Sequence, residues 1–428
     1  MADVINSKVP YQWHNLAVDL PFELDPPMDP VEWREVAAHD FGWLWPRECL
    51  EIELRRGKYG TDSHIDIPGP VRSVYEQYRP SPLARARGLE EHLGTRDEIY
   101  YKREDLNPGG SHKLNTALAQ AYYAAQDGVH TLVTDTGAGQ WGTALALACA
   151  RFGLGLKVFM VRKSFEEKPY RRTLMRMLGA EVFLSPSELT ETGRGVLKSD
   201  PDGPGSLGIG MSEAIELVRD SSGHRLALGC MSYYAAMHQT VIGLELRDQL
   251  AVIDRTPDVL VGCVGGGSNL TGFVSPFVTA GDADRPRCVA AESAAVPVLT
   301  QGEFRYDWAD FGRQTPRIRM YTLGSDFIPP AIHAGGLRYH GKTPILSALV
   351  KHGMVSPVAF DQQEVLEAGR LFLKTEGVLL APESCHAVRA AIDEVRNGAG
   401  GSPRVIVICV SGHGYLDLQA YADALDLG

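Results

Sequence analysis

The stretch Asp97-Glu-Ile-Tyr-Tyr-Lys-Arg-Glu-Asp-Leu-Asn-Pro-Gly-Gly-Ser-His-Lys-Leu-Asn115 decides the reading of the fold. A strand-like run ends in a turn on two glycines, Gly109 and Gly110, and the chain then enters a helical pattern with Lys113 at its start. A lysine at a helix N-terminus and away from bulk water has its charged form disfavoured, and the free amine attacks carbonyls to give Schiff bases. On this stretch alone, one more solvated lysine in a glycine-rich loop is the competing reading.

Outward from this stretch the same rhythm repeats. Helix 114–126, strand HTLVTDT (130–136), helix 140–152, strand LKVFMVR (156–162), helix 168–178 and strand EVFLSP (181–186) follow in order. After RLALGCM (225–231) and a helix near 235–252 come PDVLVGCV (257–264), helix 268–280 and RCVAAES (287–293). The chain closes with GVLLAPES (377–384), helix 386–397, RVIVICVS (404–411) and an amphipathic helix from about 416. Strands alternating with helices predict βαβ units and parallel sheets, and two such runs predict two α/β domains with a cleft between them. Residues 193–210, rich in Gly, Pro and Ser, read as a long surface loop or lid. The prolines Pro21, Pro26, Pro27 and Pro30, with Trp33, Trp43 and Trp45, make residues 1–60 an arm around the body or a neighbouring subunit.

Composition narrows the function. With 428 residues, 44% of them apolar, the chain buries a substantial core and is long for one domain. Its 42 basic against 53 acidic residues give a net charge of −11, and no lysine or arginine run occurs, which argues against nucleic acid and anionic membranes and for a small-molecule partner. The seven cysteines are scattered, without a C-x-x-C pair, and several sit in apolar runs where a thiol packs as a small hydrophobe. Reduced thiols and a cytoplasmic enzyme are expected. Residues 1–30 carry no signal or transit pattern, and no apolar stretch reaches ~18 residues, so neither export nor a membrane span is expected.

Four motifs carry chemistry. Gly137-Ala-Gly-Gln-Trp-Gly142 follows a strand, opens a helix and fits the dinucleotide fingerprint G-x-G-x-x-G. The acidic residue expected about 20 positions on is replaced by Arg162 and Lys163, which leaves an NADP-dependent oxidoreductase as one alternative. The same loop's amides would equally hold a carboxylate or phosphate. Gly265-Gly-Gly-Ser-Asn269 follows an apolar strand and precedes a helix, so amides, the Ser268 hydroxyl and the helix dipole converge on an anion such as a phosphate monoester. Ser411-Gly-His-Gly414 puts a hydroxyl at the C-terminal edge of a strand. In Ala381-Pro-Glu-Ser-Cys-His386, Glu383 either serves acid–base chemistry or caps the next helix. The histidines have no ligand-like spacing, so no transition metal is assigned; no G-x-S-x-G elbow is present.

Together these motifs, with Lys102-Arg-Glu-Asp-Leu-Asn-Pro-Gly-Gly-Ser-His-Lys-Leu-Asn115, Thr136-Gly-Ala-Gly-Gln-Trp-Gly142, Gly262-Cys-Val-Gly-Gly-Gly-Ser-Asn269 and His333-Ala-Gly-Gly-Leu-Arg-Tyr-His340, resemble the tryptophan synthase β chain. The extension Tyr11 to Pro30 and the insert Lys168-Pro-Tyr-Arg-Arg172 are similar to its second, longer type, and the likeness runs from about residue 10 to the C-terminus. The resemblance implies a fold type II pyridoxal-phosphate enzyme with two parallel-sheet, three-layer α/β domains. It divides the chain into an arm (1–78), an N-terminal α/β domain (112–230, with a mobile subdomain about 128–222) and a C-terminal α/β domain (79–111 plus 231–428), with the cofactor in the cleft. It implies the lyase reaction of L-serine with indole, through an aminoacrylate, to L-tryptophan and water. A homodimer is implied too, with an α subunit allowed but not required, and K+ or Na+ allowed as a monovalent cation.

Residue by residue, the resemblance implies that Lys113 holds pyridoxal 5'-phosphate and shuttles the α-proton, with His112 beside the phosphate. It gives the phosphate to Gly265, Gly266, Gly267, Ser268 and Asn269. The substrate carboxylate falls to Thr136, Gly137, Ala138, Gly139 and Gln140, and the pyridine nitrogen to Ser411, a neutral hydroxyl that weakens the electron sink and so favours β-replacement. Glu383 matches the family's second carboxylate near the cofactor. One position departs: where the family has a glutamate contacting indole nitrogen, this chain has Asp135. Its reach is shorter by roughly 1.5 Å, and a ~1 Å misplacement of a catalytic group costs ~100-fold. A different nucleophile or attack through indole nitrogen is therefore one alternative, and a serine/threonine dehydratase releasing pyruvate another.

Overall fold

Val405-Ile-Val-Ile-Cys-Val410 is apolar on both faces, the pattern of a strand covered on both sides. In the computed structural model of the chain, which describes residues 7–55, 62–281, 284–398 and 400–427, it lies inside a six-stranded sheet. The strand order is Val355–Phe360, Arg287–Ser293, Val259–Cys263, Val405–Val410, Glu98–Arg103, Leu83–Arg85. All neighbours are parallel except the short edge strand Leu83–Arg85. A second, four-stranded parallel sheet has the order Glu181–Ser185, Gly155–Val161, Thr131–Thr136, His224–Leu226. Helices make the crossovers, as βαβ connections require, and the alternation expected from the sequence holds over residues 98–161 and 259–293. Two of the expected helices, Leu114–Gln126 and Gln140–Phe152, fall where the periodicity places them.

The N-terminal arm wraps the body. Within 1–78, residues 1–6 and 56–61 lie outside the described residues. Trp13 and Leu44 are fully buried in one core with Tyr233, Tyr234, Leu132 and Leu260, so apolar contacts run from the arm through both sheets. Backbone bonds fasten it: Leu226 N–H donates to Leu44 O at 2.7 Å and Met28 N–H to Arg317 O at 2.9 Å. The tryptophans do different work. Trp45 is buried, whereas Trp33 is half exposed, edge-on to Tyr306 and under the Arg317 guanidinium.

Three expectations need correction. Residues 193–210 are mostly helical: Glu191–Ser199 and Leu207–Arg219 leave only a short link. Thr190 and Ser206 cap these helices, accepting from Gly193 N at 3.0 Å and Ile209 N at 3.2 Å. Gly208 and Gly210 serve close packing, since a Cβ on Gly210 would stand 3.1 Å from Asp135 Cβ and one on Gly208 3.2 Å from Phe311 N, whereas Gly205 at φ of +72° turns the link between the helices. The helix near 235–252 is two helices, Tyr233–His238 and Thr240–Val252. The apolar run of GVLLAPES forms no strand; Leu380 makes a single bridge to His413, and the helix starts at Pro382, a residue suited to the first helical turn. Among the described residues, no helix is long and apolar enough to cross a membrane.

Candidate active site

The C-terminal ends of strands Thr131–Thr136, Val259–Cys263 and Val405–Val410 face one cavity, where ligands of α/β proteins bind. Fourteen of the fifteen residues singled out above line it: His112, Lys113, Asp135, Thr136, Gly137, Ala138, Gln140, Gly265, Gly266, Gly267, Ser268, Asn269, Glu383 and Ser411. The exception is Gly139. Its φ of +89° turns the chain into helix Gln140–Phe152, and a Cβ there would meet Arg171 at 2.9 Å.

Lys113 stands immediately before helix Leu114–Gln126, and its loop is locked from below. Gly109 and Gly110 both have φ of +78°, and a Cβ on Gly110 would overlap the His413 ring. Asn107 Nδ2 donates to Glu104 at 2.6 Å and Asn115 Nδ2 to the same carboxylate at 3.2 Å. Arg79 in turn bridges Glu104 and Glu245 at 2.9 and 2.8 Å, and Lys102 reaches Glu245 at 2.8 Å, all with fully buried side chains. Burial alone would raise the Glu104 carboxyl, but Arg79 outweighs it and holds the group well below the usual range. Removing one partner from such a network leaves a buried charge uncompensated, so the lysine loop has little freedom. The Lys113 ammonium has no hydrogen-bonded or ion-paired partner among the described residues.

Around the lysine the groups differ sharply in electrostatics. Burial, reinforced by the neighbouring Lys113 charge, lowers His112 to about 3. Its Nδ1 donates to Ser411 O at 3.2 Å, parallel to the His112 N–H bond to the same carbonyl at 3.0 Å. Burial raises Asp135 to about 7 against the opposing Lys113 charge. Glu383, in the first turn of helix Pro382–Asn397, accepts from Gly336 N at 2.7 Å through Oε1, while its buried Oε2 has no partner. The Gly335–Gly336 turn also touches both glycine loops: a Cβ on Gly137 would come 2.8 Å from Gly335 O, and one on Gly265 2.2 Å from Gly336 O.

The reading from sequence missed several residues that line the cavity or stand directly behind its lining. Ser384 Oγ lies 2.8 Å from Ser411 Oγ and accepts from Gly412 N at 3.1 Å, while Cys263 Sγ is 3.3 Å from the Ser411 hydroxyl. Leu207, Met211, Leu228, Trp141 and Tyr339 give the same cavity an apolar share of its wall. Leu207 and Met211 were hidden by reading 193–210 as a loop, whereas Tyr339 sits inside the quoted His333–His340 motif.

Residues 74–412 match the family described as "Pyridoxal-phosphate dependent enzyme". The chain is 50% identical over 426 residues to "Tryptophan synthase beta chain 2" of Thermotoga maritima, covering 98% of this chain and all of that one. It is 49% identical to the protein of the same name from Thermococcus kodakarensis, covering 98% and 95%. The chain belongs to the tryptophan synthase β chain family. Its fold is that of solved structures at low identity: an L-serine ammonia-lyase from Rhizomucor miehei (TM-score 0.61, 17% identity, 81% of this chain and 98% of that one) and a threonine deaminase from T.th. (0.60, 20%, 81% and 97%). Membership in this family of pyridoxal-phosphate enzymes removes the nicotinamide alternative, so the match of Gly137–Gly142 to a dinucleotide fingerprint is coincidental.

Whether the residues fit pyridoxal phosphate is testable on the geometry. The cavity holds a lysine amine without a partner, two glycine loops at helix N-termini, and a neutral hydroxyl at Ser411. Glu383 Oε2 and Gln140 Nε2 are buried there without partners, and buried polar groups rarely go unpaired unless a ligand or water completes them. The residues fit.

Proposed function

We propose that this chain joins L-serine to indole, giving L-tryptophan and water, with pyridoxal 5'-phosphate held through Lys113. The observation that carries the reading is the meeting, in one cavity, of an unpartnered lysine amine, two anion-binding glycine loops and an apolar wall. Bound pyridoxal phosphate would supply the electron sink that acidifies the α-proton of serine and lets its β-hydroxyl depart.

The chain's own residues would divide the remaining work. Gly265, Gly266, Gly267, Ser268 and Asn269 bind the phosphate, with His112 beside it. The amides of the Thr136–Gln140 loop and the Gln140 side chain bind the substrate carboxylate, with Gly139 setting the loop's turn from outside the cavity. Lys113 takes the α-proton and returns it. Glu383 Oε2 delivers a proton to the departing hydroxyl and takes back the proton that the indole carbon loses as it bonds to the β-carbon, and Ser411 faces the ring nitrogen without charging it. Leu207, Met211, Leu228 and Tyr339 exclude water around an aromatic nucleophile, and the Asp135 carboxyl accepts a hydrogen bond from the indole N–H. Carboxylate binding would draw residues 128–222 inward over the cleft. The finer assignments of the family resemblance go with this reading: a homodimer, an α subunit that is not required, and K+ or Na+ as a monovalent cation. The seven unpaired cysteines support a reducing, cytoplasmic setting.

Incubating the purified protein with serine and indole, identifying the product by NMR and assaying pyruvate in parallel, tests this reading. Tryptophan bonded through carbon is expected. A product bonded through indole nitrogen would move the assignment of the nucleophile, as the shorter Asp135 side chain allows. Pyruvate with no condensed product would overturn the reading in favour of a dehydratase.

A further inference from the structure

The glycine loop at 265–269 is gripped from outside the cavity lining by two consecutive residues. Lys342 Nζ donates to Val264 O at 3.3 Å, and Thr343 N–H donates to Gly266 O at 2.7 Å. Lys342 is fully buried and lies 3.4 Å from Glu292 Oε2. Glu292 is itself pinned by the Leu299 and Thr300 amides at 3.0 and 2.9 Å. Burial pushes the Lys342 ammonium down from its ordinary value, and Glu292 opposes that shift. No step of the proposed reaction uses this lysine.

In a planar trans peptide, the carbonyl of one residue and the N–H of the next point in opposite directions. Holding Val264 O and Gly266 O away from the cavity therefore turns the Gly265 and Gly267 amides towards it. Neither amide has a protein acceptor among the described residues. The backbone torsions of these glycines are not biased by a Cβ, and Gly267 sits at φ of +106°, so the orientation of each peptide depends on the groups that hold it. Thr343 fixes the second peptide with a backbone group, which few substitutions alter. The first peptide depends on a side chain.

We infer that Lys342 is a positioning residue for phosphate recognition: its buried ammonium fixes the Val264 carbonyl and so aims the Gly265 amide at the cofactor phosphate. The inference rests on the cofactor reading above. Because Glu292 balances the lysine charge, the contribution lies in the orientation of the peptide rather than in attraction across the loop.

Equilibrium binding of pyridoxal 5'-phosphate and of pyridoxal, which lacks the phosphate, to the cofactor-free full chain tests the inference. Lys342→Met leaves Glu292 buried and unpaired and so endangers folding; the double variant Lys342→Met/Glu292→Gln removes both charges and keeps the experiment interpretable. In the double variant, pyridoxal 5'-phosphate affinity should fall about tenfold, the effect of a lost charge-assisted hydrogen bond, while pyridoxal affinity stays within about twofold of native. The phosphorus NMR signal of bound cofactor should shift as well. A native preference for the phosphorylated form that persists in the double variant overturns this inference alone. A native chain with no such preference overturns the cofactor reading and this inference with it.

Discussion

The two glycine loops begin alike and are finished differently. Each follows a parallel strand, each turns at a glycine of positive φ, Gly139 or Gly267, and each opens a helix. Each also has a buried cation close by. Behind 265–269 it is Lys342, which bonds the loop's own preceding carbonyl and pairs with Glu292. Behind 136–140 it is Arg171, packed under Gly139 and paired with Asp417 at 2.8 Å, alongside Lys168 at 2.5 Å on the same carboxylate. The first grip is made of residues belonging to the six-stranded sheet and its connections. The second crosses from the insert 168–172, beside the four-stranded sheet, to the C-terminal segment. The two glycine motifs look alike in sequence, but the buried cation behind one stays within its own sheet while the cation behind the other reaches across to the C-terminal segment. That contrast suits a permanently held phosphate on one side and an arriving carboxylate on the other.

The largest effect should come from cutting the crossing grip. Asp417→Ala leaves Lys168 and Arg171 buried without their carboxylate, and a loss of about 3–5 kcal/mol is expected, read as a lower denaturant midpoint, with a raised KM for serine and unchanged pyridoxal-phosphate affinity. Weakened cofactor binding with serine KM unchanged would break the comparison. Gly265→Ala attacks the other loop, since its Cβ would stand 2.2 Å from the Gly336 carbonyl. Cofactor affinity should drop on the order of 100-fold, as a backbone displacement of about 3 kcal/mol implies, measured by titrating the cofactor-free protein.

Asp135 sharpens the contrast at the base of the 136–140 loop. Its carboxyl ionises near 3.8 when unfolded and, through burial, near 7 when folded. The folded state thus favours the proton, so its stabilisation is full below about pH 4 and is lost as pH rises towards 7. Between pH 5 and pH 7 the native chain should lose about 2 kcal/mol that Asp135→Asn does not lose, as denaturation midpoints across that window would reveal. The smallest effect is expected at Ser384→Ala. Losing the hydrogen bond to Ser411 is worth about 1 kcal/mol, or about a fivefold fall in kcat, with the absorbance band of the bound cofactor displaced.

The sheet framework was readable because its strands are buried on both faces and its helices begin at glycine turns, so that pattern and punctuation agree at Thr131–Phe152 and Val259–Val278. The loop assigned to 193–210 failed for a physical reason: Gly208 and Gly210 are there to let a helix approach Phe311 and Asp135 closely, and sequence does not separate a packing glycine from a turning one. The same misreading hid Leu207 and Met211, two members of the apolar wall. Residues carried by compact motifs were legible as members of one cavity. Cys230, which also lines the cavity, and Lys342 behind the 265–269 loop were not, because their partners come from segments distant in the chain, and a buried lysine or a thiol in an apolar run has no local signature.

The central claim is that Lys113 anchors the cofactor between these two loops. Reducing the cofactor-loaded protein with borohydride, digesting it and locating the pyridoxyl group by mass spectrometry tests that claim most directly. The label is expected on Lys113 alone; a label on any other lysine, or on none, would contradict the account.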